Sequence, residues 1–399
     1  MKKVAIIGTA GVPARYGGFE TLAQQLVTNL NDEFELHVYC SNAFYKKEER
    51  VRYWNKARLH YVPLNANGIQ SILYDIVTII HALFYAEALI VLGVSGGIMI
   101  PFIKMFTRKK IVVNIDGLEW KRDKWNYFIR KYLKLSEYLA VKFSDADITD
   151  NAAIKKYTAE CYKTLSYLIE YGADHTKAVK IENEDAEKYP FLENAYAFKV
   201  CRIEPENNIH IVLSAFAQMP RQKLVIVGNW NASEYGKELK EQYQNTSNII
   251  LLDPIYHQRT IDLLRSNCTI YIHGHSAGGT NPSLVEAMFL RNAIIAFNVS
   301  YNIATTENKA IYFNDDEELI ACVTKLTHEQ INDNANSMKE IADRRYTWKE
   351  ISKKYANLVY GFDYRYTKKS VHSSVKRVSQ KYLLETGAAH LNNPKMFFE

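Results

Sequence analysis

The segment GGTNPSLVE (278–286) combines residue types that bind anions and hydroxyl groups. Asn281 suits the N-cap of a helix and Pro282 its first position. The backbone amides of such a helix start bind anions, and a diphosphate would fit there. Glu286 lies on the first turns and could accept hydrogen bonds from ribose hydroxyls. The alternative is a carboxylate that only complements the positive end of the helix.

Arg202 lies near the end of an apolar run, in the segment CRIEPENN (201–208). Arg202 at this place could neutralise a departing diphosphate, because a fixed guanidinium stabilises developing negative charge. The alternative is a surface ion pair between Arg202 and Glu204 or Glu206.

The loop GTAGVPARYGGFE (8–20) follows a strand-like run and precedes a helical pattern. Gly17 and Gly18 would let the backbone approach a ligand closely. The planar guanidinium of Arg15 could form two parallel hydrogen bonds to a phosphate or carboxylate. The loop contains neither GxGxxG nor a P-loop GK[ST], which disfavours a dinucleotide or P-loop site. The alternative is a tight turn that needs glycine only for its conformation.

The segment NIDGLEWKR (114–122) stands at the end of another apolar run. Asp116 could orient or polarise a reacting hydroxyl. Glu119, Trp120 and Arg122 suit hydroxyl recognition and sugar stacking. The alternative for Asp116 is to cap the following turn.

Short apolar runs alternate with helical patterns and would position these segments. The first series is 3–8, 36–40, 59–64, 87–93, 110–117 and 145–150. After the polar segment 172–194, the second series is 195–203, 223–229, 248–253, 268–274 and 292–298. Two such series predict a two-lobed α/β protein with parallel, doubly wound sheets. Ligands bind beyond the carboxyl ends of such strands, so we expect the lobes to share a cleft.

The predicted domains are an N-terminal domain (1–190), a C-terminal domain (195–346) and a C-terminal helix with a basic tail (347–399), which could pack back on the first domain. The predicted helix has one apolar side, formed by Trp348, Ile351, Tyr355 and Leu358. The tail could lie on an anionic membrane, or it could be a solvated extension.

The composition is ordinary for a soluble globular protein, and 399 residues suffice for two cores. The net charge of +6 favours anionic partners. Five cysteines without a CxxC pair indicate a reduced compartment and no structural zinc. His273 and His275 lack a partnered carboxylate, so no metal site is predicted there.

The apolar stretch 69–106 raises the question of a membrane span. Asp75, His81 and Glu87 interrupt it, and its uncharged part (88–103) is shorter than the roughly 20 residues that a spanning helix needs. The stretch therefore predicts a buried helix–strand–helix of an α/β domain.

Four segments taken together resemble the retaining glycosyltransferase family 4, and within it the bacterial capsule and cell-wall rhamnosyltransferase branch. They are GTAGVPARYGGFET (8–21), NIDGLEWKRDKW (114–125), RIEPENN (202–208) and GGTNPSLVEAM (278–288). The resemblance implies a GT-B fold, with two Rossmann-like domains facing a cleft. It also implies a metal-independent transfer from a dTDP- or UDP-linked sugar, with retention of configuration and without a cofactor.

The resemblance further implies a lipid-diphosphate-linked saccharide as acceptor and no nucleic-acid partner. The protein would be cytoplasmic and in peripheral contact with the inner face of the plasma membrane. The candidate catalytic residues are Asp116, Arg202 and Glu286. The candidate donor-binding residues are Gly17, Gly18, Asn207, Tyr256, Gly279, Thr280 and Asn281. The candidate acceptor-side residues are Arg15, Glu119, Trp120 and Arg122.

Two positions depart from the family pattern. Gly278 stands where the family usually has Glu, and Asn207 stands where it usually has Lys. The losses remove a donor-sugar hydroxyl ligand and a cation, and a deoxysugar donor such as dTDP-L-rhamnose is compatible with them. Two further functions are open: another GT-B enzyme such as an epimerase or phosphorylase, and a non-catalytic nucleotide-sugar-binding protein.

Overall fold

The computed structural model describes residues 1–15, 17–115, 117–121, 125–162 and 164–361. Within this part the chain divides into two compact units. The first comprises Met1–Ile169 and the described residues from Lys349 onward, and the second comprises Glu170–Trp348.

The first unit is built on a sheet of eight strands, six of which follow the predicted apolar runs, while the short strand at each edge was not predicted. The strands are β1 (Lys2–Ile7), β2 (Phe34–Ser41), β3 (Tyr53–Trp54), β4 (Ala57–Val62), β5 (Ala88–Leu92), β6 (Lys110–Asn114), β7 (Ala146–Thr149) and β8 (Tyr167–Leu168). Their order is β3-β4-β2-β1-β5-β6-β7-β8, with β3 antiparallel to β4 and the other pairs parallel. The chain moves outward from β1 to β4 and then returns to the other side of β1 with β5, which creates a topological switch point.

Helices connect these strands. They are α1 (Gly18–Leu30), α2 (Gln70–Ala82), α3 (Ile100–Phe106), α4 (Tyr127–Phe143) and α5 (Ala152–Tyr162). The apolar stretch 69–106 thus forms the predicted helix–strand–helix, and no helix among the described residues is long and apolar enough to cross a membrane.

The prediction that this stretch is buried is wrong for one side of α2 and for three side chains of α3, Phe102, Met105 and Phe106. Tyr74, Thr78 and Ile79 of α2 are buried, whereas Leu73 and Val77 are exposed. The physical reason is that α2 is apolar around nearly its whole circumference, while the elements packed against it cover only part of it.

The second unit contains a second parallel sheet. Its strands are β9 (Ala197–Val200), β10 (Leu224–Val227), β11 (Ile249–Leu252), β12 (Ile270–His273), β13 (Ala293–Phe297) and β14 (Ile311–Phe313). Their order is β11-β10-β9-β12-β13-β14. This is the Rossmann order, in which the switch point lies between the first and fourth strands, here β9 and β12.

The helices of the second unit cover this sheet. They are α6 (Asn183–Lys188), α7 (Ile209–Ala217), α8 (Glu234–Tyr243), α9 (Gln258–Ser266), α10 (Pro282–Phe289), α11 (Ser300–Thr305), α12 (Asp316–Lys325) and α13 (His328–Arg345). Apolar side chains of the strands and of α7 and α12 form a buried core, including Ile226, Phe216 and Leu319. The predicted fold, two Rossmann-like α/β domains, is confirmed.

The last described helix is α14 (Trp348–Tyr360). Its predicted apolar side is buried, with Ile351 and Tyr355 fully inaccessible. From the first sheet, the Asn114 amide at the end of β6 donates a 2.7 Å hydrogen bond to the Tyr355 hydroxyl. Because Trp348 belongs to the second unit, α14 begins in one unit and continues in the other.

Candidate active site

The start of α10 has the predicted geometry. Asn281 is the N-cap, and its Oδ1 accepts hydrogen bonds from the Ser283 amide (3.1 Å) and the Ser283 hydroxyl (2.8 Å). Pro282 occupies the first helical position. The segment that precedes α10 leaves the carboxyl end of β12, so this helix start lies at the switch-point edge of the second sheet.

Glu286 is held by two partners on its two carboxylate oxygens. Its Oε2 lies 2.7 Å from Nη2 of Arg265, and its Oε1 lies 3.3 Å from Nε2 of His175. The Glu286 side chain is 14% exposed. The two contacts therefore fix the carboxylate while leaving an accessible edge, and each oxygen has a second lone pair for a hydroxyl donor.

The electrostatics of this site keep Glu286 ionised. Burial raises the pKa of the Glu286 carboxyl, but the charge of Arg265 and the hydrogen bond from His175 outweigh it, and the net pKa is lowered. An ionised carboxylate only accepts hydrogen bonds, so this group suits a ligand that presents hydroxyl donors.

Arg265 on α9 is the buried counter-charge. Its side chain is 2% exposed, and its Nη1 lies 3.7 Å from Oδ1 of Asp262. Within the described part of the chain, Nε and Nη1 of Arg265 have no hydrogen-bond partner. A buried guanidinium is stable only beside a carboxylate, so Glu286 and Arg265 depend on each other.

His175 and Trp348 form the other side of the Glu286 site. The indole Nε1 of Trp348 donates a 2.9 Å hydrogen bond to Nδ1 of His175. The backbone amide of Trp348 donates to Oδ1 of Asp174 over 2.7 Å, which anchors the two segments. Sequence reasoning missed Arg265, His175 and Trp348 as site residues, because only the folded chain brings them to Glu286.

Arg202 follows β9 on the other side of the switch point. Its side chain is 49% exposed, and its Nη1 lies 3.6 Å from Oε1 of Glu204. The predicted alternative, an ion pair with Glu204, is thus present. The pair is half-exposed, and such pairs contribute little stability, so the guanidinium can exchange this partner for an anionic ligand.

Two asparagines hold the loops around Arg202. Asn207 is buried, and its Nδ2 donates a 2.7 Å hydrogen bond to the carbonyl oxygen of Arg202. The Nδ2 of Asn208 donates to the carbonyl oxygen of Gly274 over 3.0 Å, and the Ser276 amide donates to the carbonyl oxygen of Glu206 over 2.9 Å. The loops after β9 and β12 are therefore tied together, and Asn207 has a structural role beside its predicted donor contact.

The remaining donor-site candidates of the second unit lie in loops after strands. Gly278 has a φ of +127°, and a Cβ at this position would meet no atom within 4 Å. Gly279 is partly buried and Thr280 is buried. Tyr256 follows β11 and is 74% exposed. No group of three or more potential metal ligands occurs among the described residues.

The first unit carries the glycine-rich loop. Gly17 is the N-cap of α1 and Gly18 its first residue. The buried Glu20 accepts a 2.6 Å hydrogen bond from the Ala10 amide and a 3.2 Å bond from the Thr9 hydroxyl, which fixes the loop after β1. Sequence reasoning noted Glu20 only as part of a pattern.

The acceptor-side candidates have partners of their own. Arg15 donates to Oε2 of Glu49 over 2.9 Å and to the carbonyl oxygen of Phe44 over 3.0 Å.

Glu119 accepts a 3.1 Å hydrogen bond from the Trp125 indole. The Trp120 ring has Nζ of Lys134 4.6 Å from its centroid. Two further candidates, Asp116 and Arg122, lie outside the described residues, as does the basic tail.

Two protein-family models match separate parts of the chain. Residues 181–345 match the model of glycosyl transferases group 1. Residues 1–174 match a domain of unknown function, DUF1972. The first match covers Glu286, Arg265 and Arg202. Together with the fold, it supports a glycosyltransferase of the GT-B type.

Solved structures resemble most of the chain in fold. Sucrose-phosphate synthase from Thermosynechococcus elongatus has a TM-score of 0.75 at 13% identity, covering 91% of this chain and 99% of that one. HepE from Anabaena, solved with UDP-glucose, has a TM-score of 0.67 at 16% identity, covering 90% and 100%. The α,α-trehalose 6-phosphate synthase from Burkholderia multivorans has a TM-score of 0.68 at 9% identity, covering 95% and 99%. Among curated proteins, no sequence matches the chain significantly.

Proposed function

We propose that this protein is a retaining glycosyltransferase that moves a sugar from a nucleoside-diphosphate donor to a lipid-diphosphate-linked saccharide in capsule or cell-surface polysaccharide synthesis. The observation that carries the proposal is the Glu286 carboxylate, which Arg265 and His175 hold ionised and fixed beside the start of α10. A fixed anionic acceptor is what a ribose diol requires, since its two hydroxyls donate in parallel.

The diphosphate would lie at the same edge of the second sheet. The amides at the start of α10 and the half-exposed Arg202 supply positive potential there. The match of residues 181–345 to glycosyl transferases group 1 supports a nucleotide-sugar donor, as does the UDP bound in a HepE structure of the same fold.

We propose the following reaction for these groups. The bond between the sugar C1 and the diphosphate oxygen breaks, and both bonding electrons leave with the diphosphate, whose added charge Arg202 stabilises. The acceptor hydroxyl forms the new bond to C1 from the same face, which retains the configuration. Its proton passes to the departing diphosphate. No metal takes part, and Asp116 would orient hydroxyls at the reaction centre.

The donor sugar is proposed to be a deoxysugar, with dTDP-L-rhamnose the first candidate and UDP sugars the second. Gly278 contributes no side chain to the donor site, and its positive φ disfavours every residue with a Cβ. The site therefore has one hydroxyl ligand fewer than the family pattern. A lipid-linked acceptor would also place the protein in peripheral contact with the inner face of the plasma membrane.

The test is a transfer assay with a panel of dTDP-, UDP- and GDP-sugars and lipid-diphosphate-linked saccharides as acceptors. We expect one donor to yield a lipid-linked product with the donor's anomeric configuration, as read by NMR. Arg202→Ala should lower the rate by about two orders of magnitude, whereas Arg221→Ala, an exposed arginine of the same unit, should not. Turnover without acceptor would favour an epimerase or phosphorylase, and donor binding without turnover on any acceptor would favour a binding protein.

A further inference from the structure

Helix α2 presents an apolar stripe to solvent. Its members recur at helical spacing on one side of α2 and its flanking turns: Ile69, Leu73, Val77, Ile80 and Phe84. All are between 43% and 84% exposed. A stripe of this length on a soluble helix normally packs against another element, so its exposure marks an interaction surface.

Two further helices continue the apolar surface. The exposed large side chains of α3 are Phe102, Met105 and Phe106, and those of α4 that are more than half exposed are Tyr127, Phe128 and Leu135. Helix α3 packs against α4. The connections β4–β5, β5–β6 and β6–β7 all run in the same direction across the sheet, so right-handed crossovers place α2, α3 and α4 in one layer. We name these eleven side chains on the three helices the apolar face.

The exposed charges on the three helices have one sign. The only carboxylates on the three helices, Asp75 and Glu137, are buried. The exposed charges of α4 are lysines, and each lies over an aromatic ring: Lys131 over Tyr127 (4.4 Å), Lys134 over Trp120 (4.6 Å) and Lys142 over Tyr138 (5.2 Å). Aromatic and aliphatic side chains flanked by lysine stems suit the boundary between lipid headgroups and acyl chains.

We propose that the apolar face inserts into the interface of an anionic lipid bilayer. This inference assigns a defined surface to the membrane contact of the proposed function. Its evidence is the set of exposed side chains of the first unit. A second copy of the chain fits less well, because a symmetric contact would bring the lysines of two α4 helices together. The C-terminal residues 362–399 also fit poorly, since they carry seven Lys and Arg against three Asp and Glu.

The experiment measures partitioning of the full-length protein onto vesicles, without nucleotide. The vesicles contain phosphatidylcholine alone or mixed with phosphatidylglycerol. We expect binding to the mixed vesicles that weakens with salt, and a fall of at least about tenfold in the partition coefficient for Phe84→Asp/Phe128→Asp, because two large apolar side chains no longer insert. The matched control is Val51→Asp/Tyr53→Asp, two exposed apolar residues at β3 of the same unit, which should bind like the wild type.

Three outcomes would overturn the proposal. The first is a wild-type protein that does not bind the mixed vesicles. The second is a Phe84→Asp/Phe128→Asp variant that binds as the wild type does, which would assign the contact to another surface such as the basic tail. The third is a wild-type dimer in light scattering that this variant converts to a monomer. Nucleotide binding measured without vesicles should be equal in all variants, so failure here is distinguishable from failure of the proposed function.

Discussion

The indole nitrogen of Trp348 donates a hydrogen bond to Nδ1 of His175 over 2.9 Å. An indole N–H can only donate, so Nδ1 of His175 must be the unprotonated nitrogen. The ring proton therefore resides on Nε2, which faces Oε1 of Glu286 at 3.3 Å. Trp348 thus sets the tautomer of His175, and through it one of the two contacts that orient the Glu286 carboxylate.

The first prediction concerns the hydrogen bonds that join Trp348, His175 and Glu286. Trp348→Phe keeps an aromatic ring but removes the donor, so His175 can adopt the tautomer that no longer donates to Glu286. We expect the affinity for the nucleotide to fall by about 2–10-fold, the equivalent of one hydrogen bond, as measured by calorimetric titration. Tyr355→Phe is the control, because it removes a buried hydroxyl from the same helix α14 but in the first unit. An equal loss of affinity in both variants would contradict the claim that Trp348 orients Glu286 through His175.

The second prediction is a pH dependence. The folded-state pKa of Glu286 is depressed, so the carboxylate stabilises the fold above its ordinary pKa of 4.5, and this contribution is lost as the pH falls through the lower folded value. In Glu286→Gln the group cannot titrate. The difference in unfolding free energy between wild type and variant should therefore shrink as the pH is lowered from 6 toward 3. A constant difference would show that Glu286 has an ordinary pKa in the folded chain.

The third prediction concerns Asn207. Replacing it with Lys introduces the residue usual in the family that the sequence resembles, yet Asn207 is buried and its amide donates to the Arg202 carbonyl. We expect Asn207→Lys and Asn207→Ala both to lower the unfolding free energy by about 1–3 kcal/mol, because a buried carbonyl loses its donor. Chemical denaturation measures this directly. Tighter nucleotide binding by a stable Asn207→Lys variant would contradict the structural role of Asn207.

The fourth prediction distinguishes the cost of the backbone conformation at Gly278 from the effect of a side chain there. Both Gly278→Ala and Gly278→Glu must adopt a φ of +127°, and both should destabilise the fold by about 1–3 kcal/mol. The space around the position is open, so the two variants should lose the same amount. If the Glu variant is stable and binds the nucleotide sugar more tightly than Ala, the absence of a carboxylate here is not imposed by the backbone.

The fifth prediction concerns Asp75, which lies buried on α2 beneath the loop at Gly96. Burial raises its pKa to about 8, and the hydrogen bond from the Gly96 amide only partly offsets this. The group is protonated in the folded chain and ionised in the unfolded chain, so between its ordinary and folded pKa values stability falls as the pH rises, by about 1.4 kcal/mol per unit. Asp75→Asn should remove this slope. Thermal unfolding from pH 5 to 8 checks it, and an unchanged slope would contradict it.

The sequence predicts the parts of the site that are local in the chain. The N-cap Asn281, Pro282 and the position of Glu286 on the first turns follow from residue types over nine positions. The alternating apolar runs likewise predict eleven of the fourteen described strands, because parallel strands buried on both faces are continuously apolar. The runs miss β3, β8 and β14, which are edge strands of only two or three residues.

The parts that the sequence did not predict depend on contacts between distant positions. Arg265 and His175 reach Glu286 from positions 21 and 111 residues earlier in the chain, and no local pattern marks either. The exposed side of α2 was missed for a related reason. Apolar composition shows that a helix can be buried, but which of its sides is covered depends on the elements packed around it.

The central claim is that the carboxylate of Glu286 and the guanidinium of Arg202 bind a nucleoside diphosphate. The most direct measurement is calorimetric titration of the wild type, Glu286→Gln and Arg202→Ala with UDP, dTDP and GDP, with Arg221→Ala as control. We expect that one nucleotide binds the wild type and the control equally, and that both site variants lose at least about tenfold in affinity. No binding of any nucleotide to the folded wild type, or equal binding by all four proteins, would contradict it.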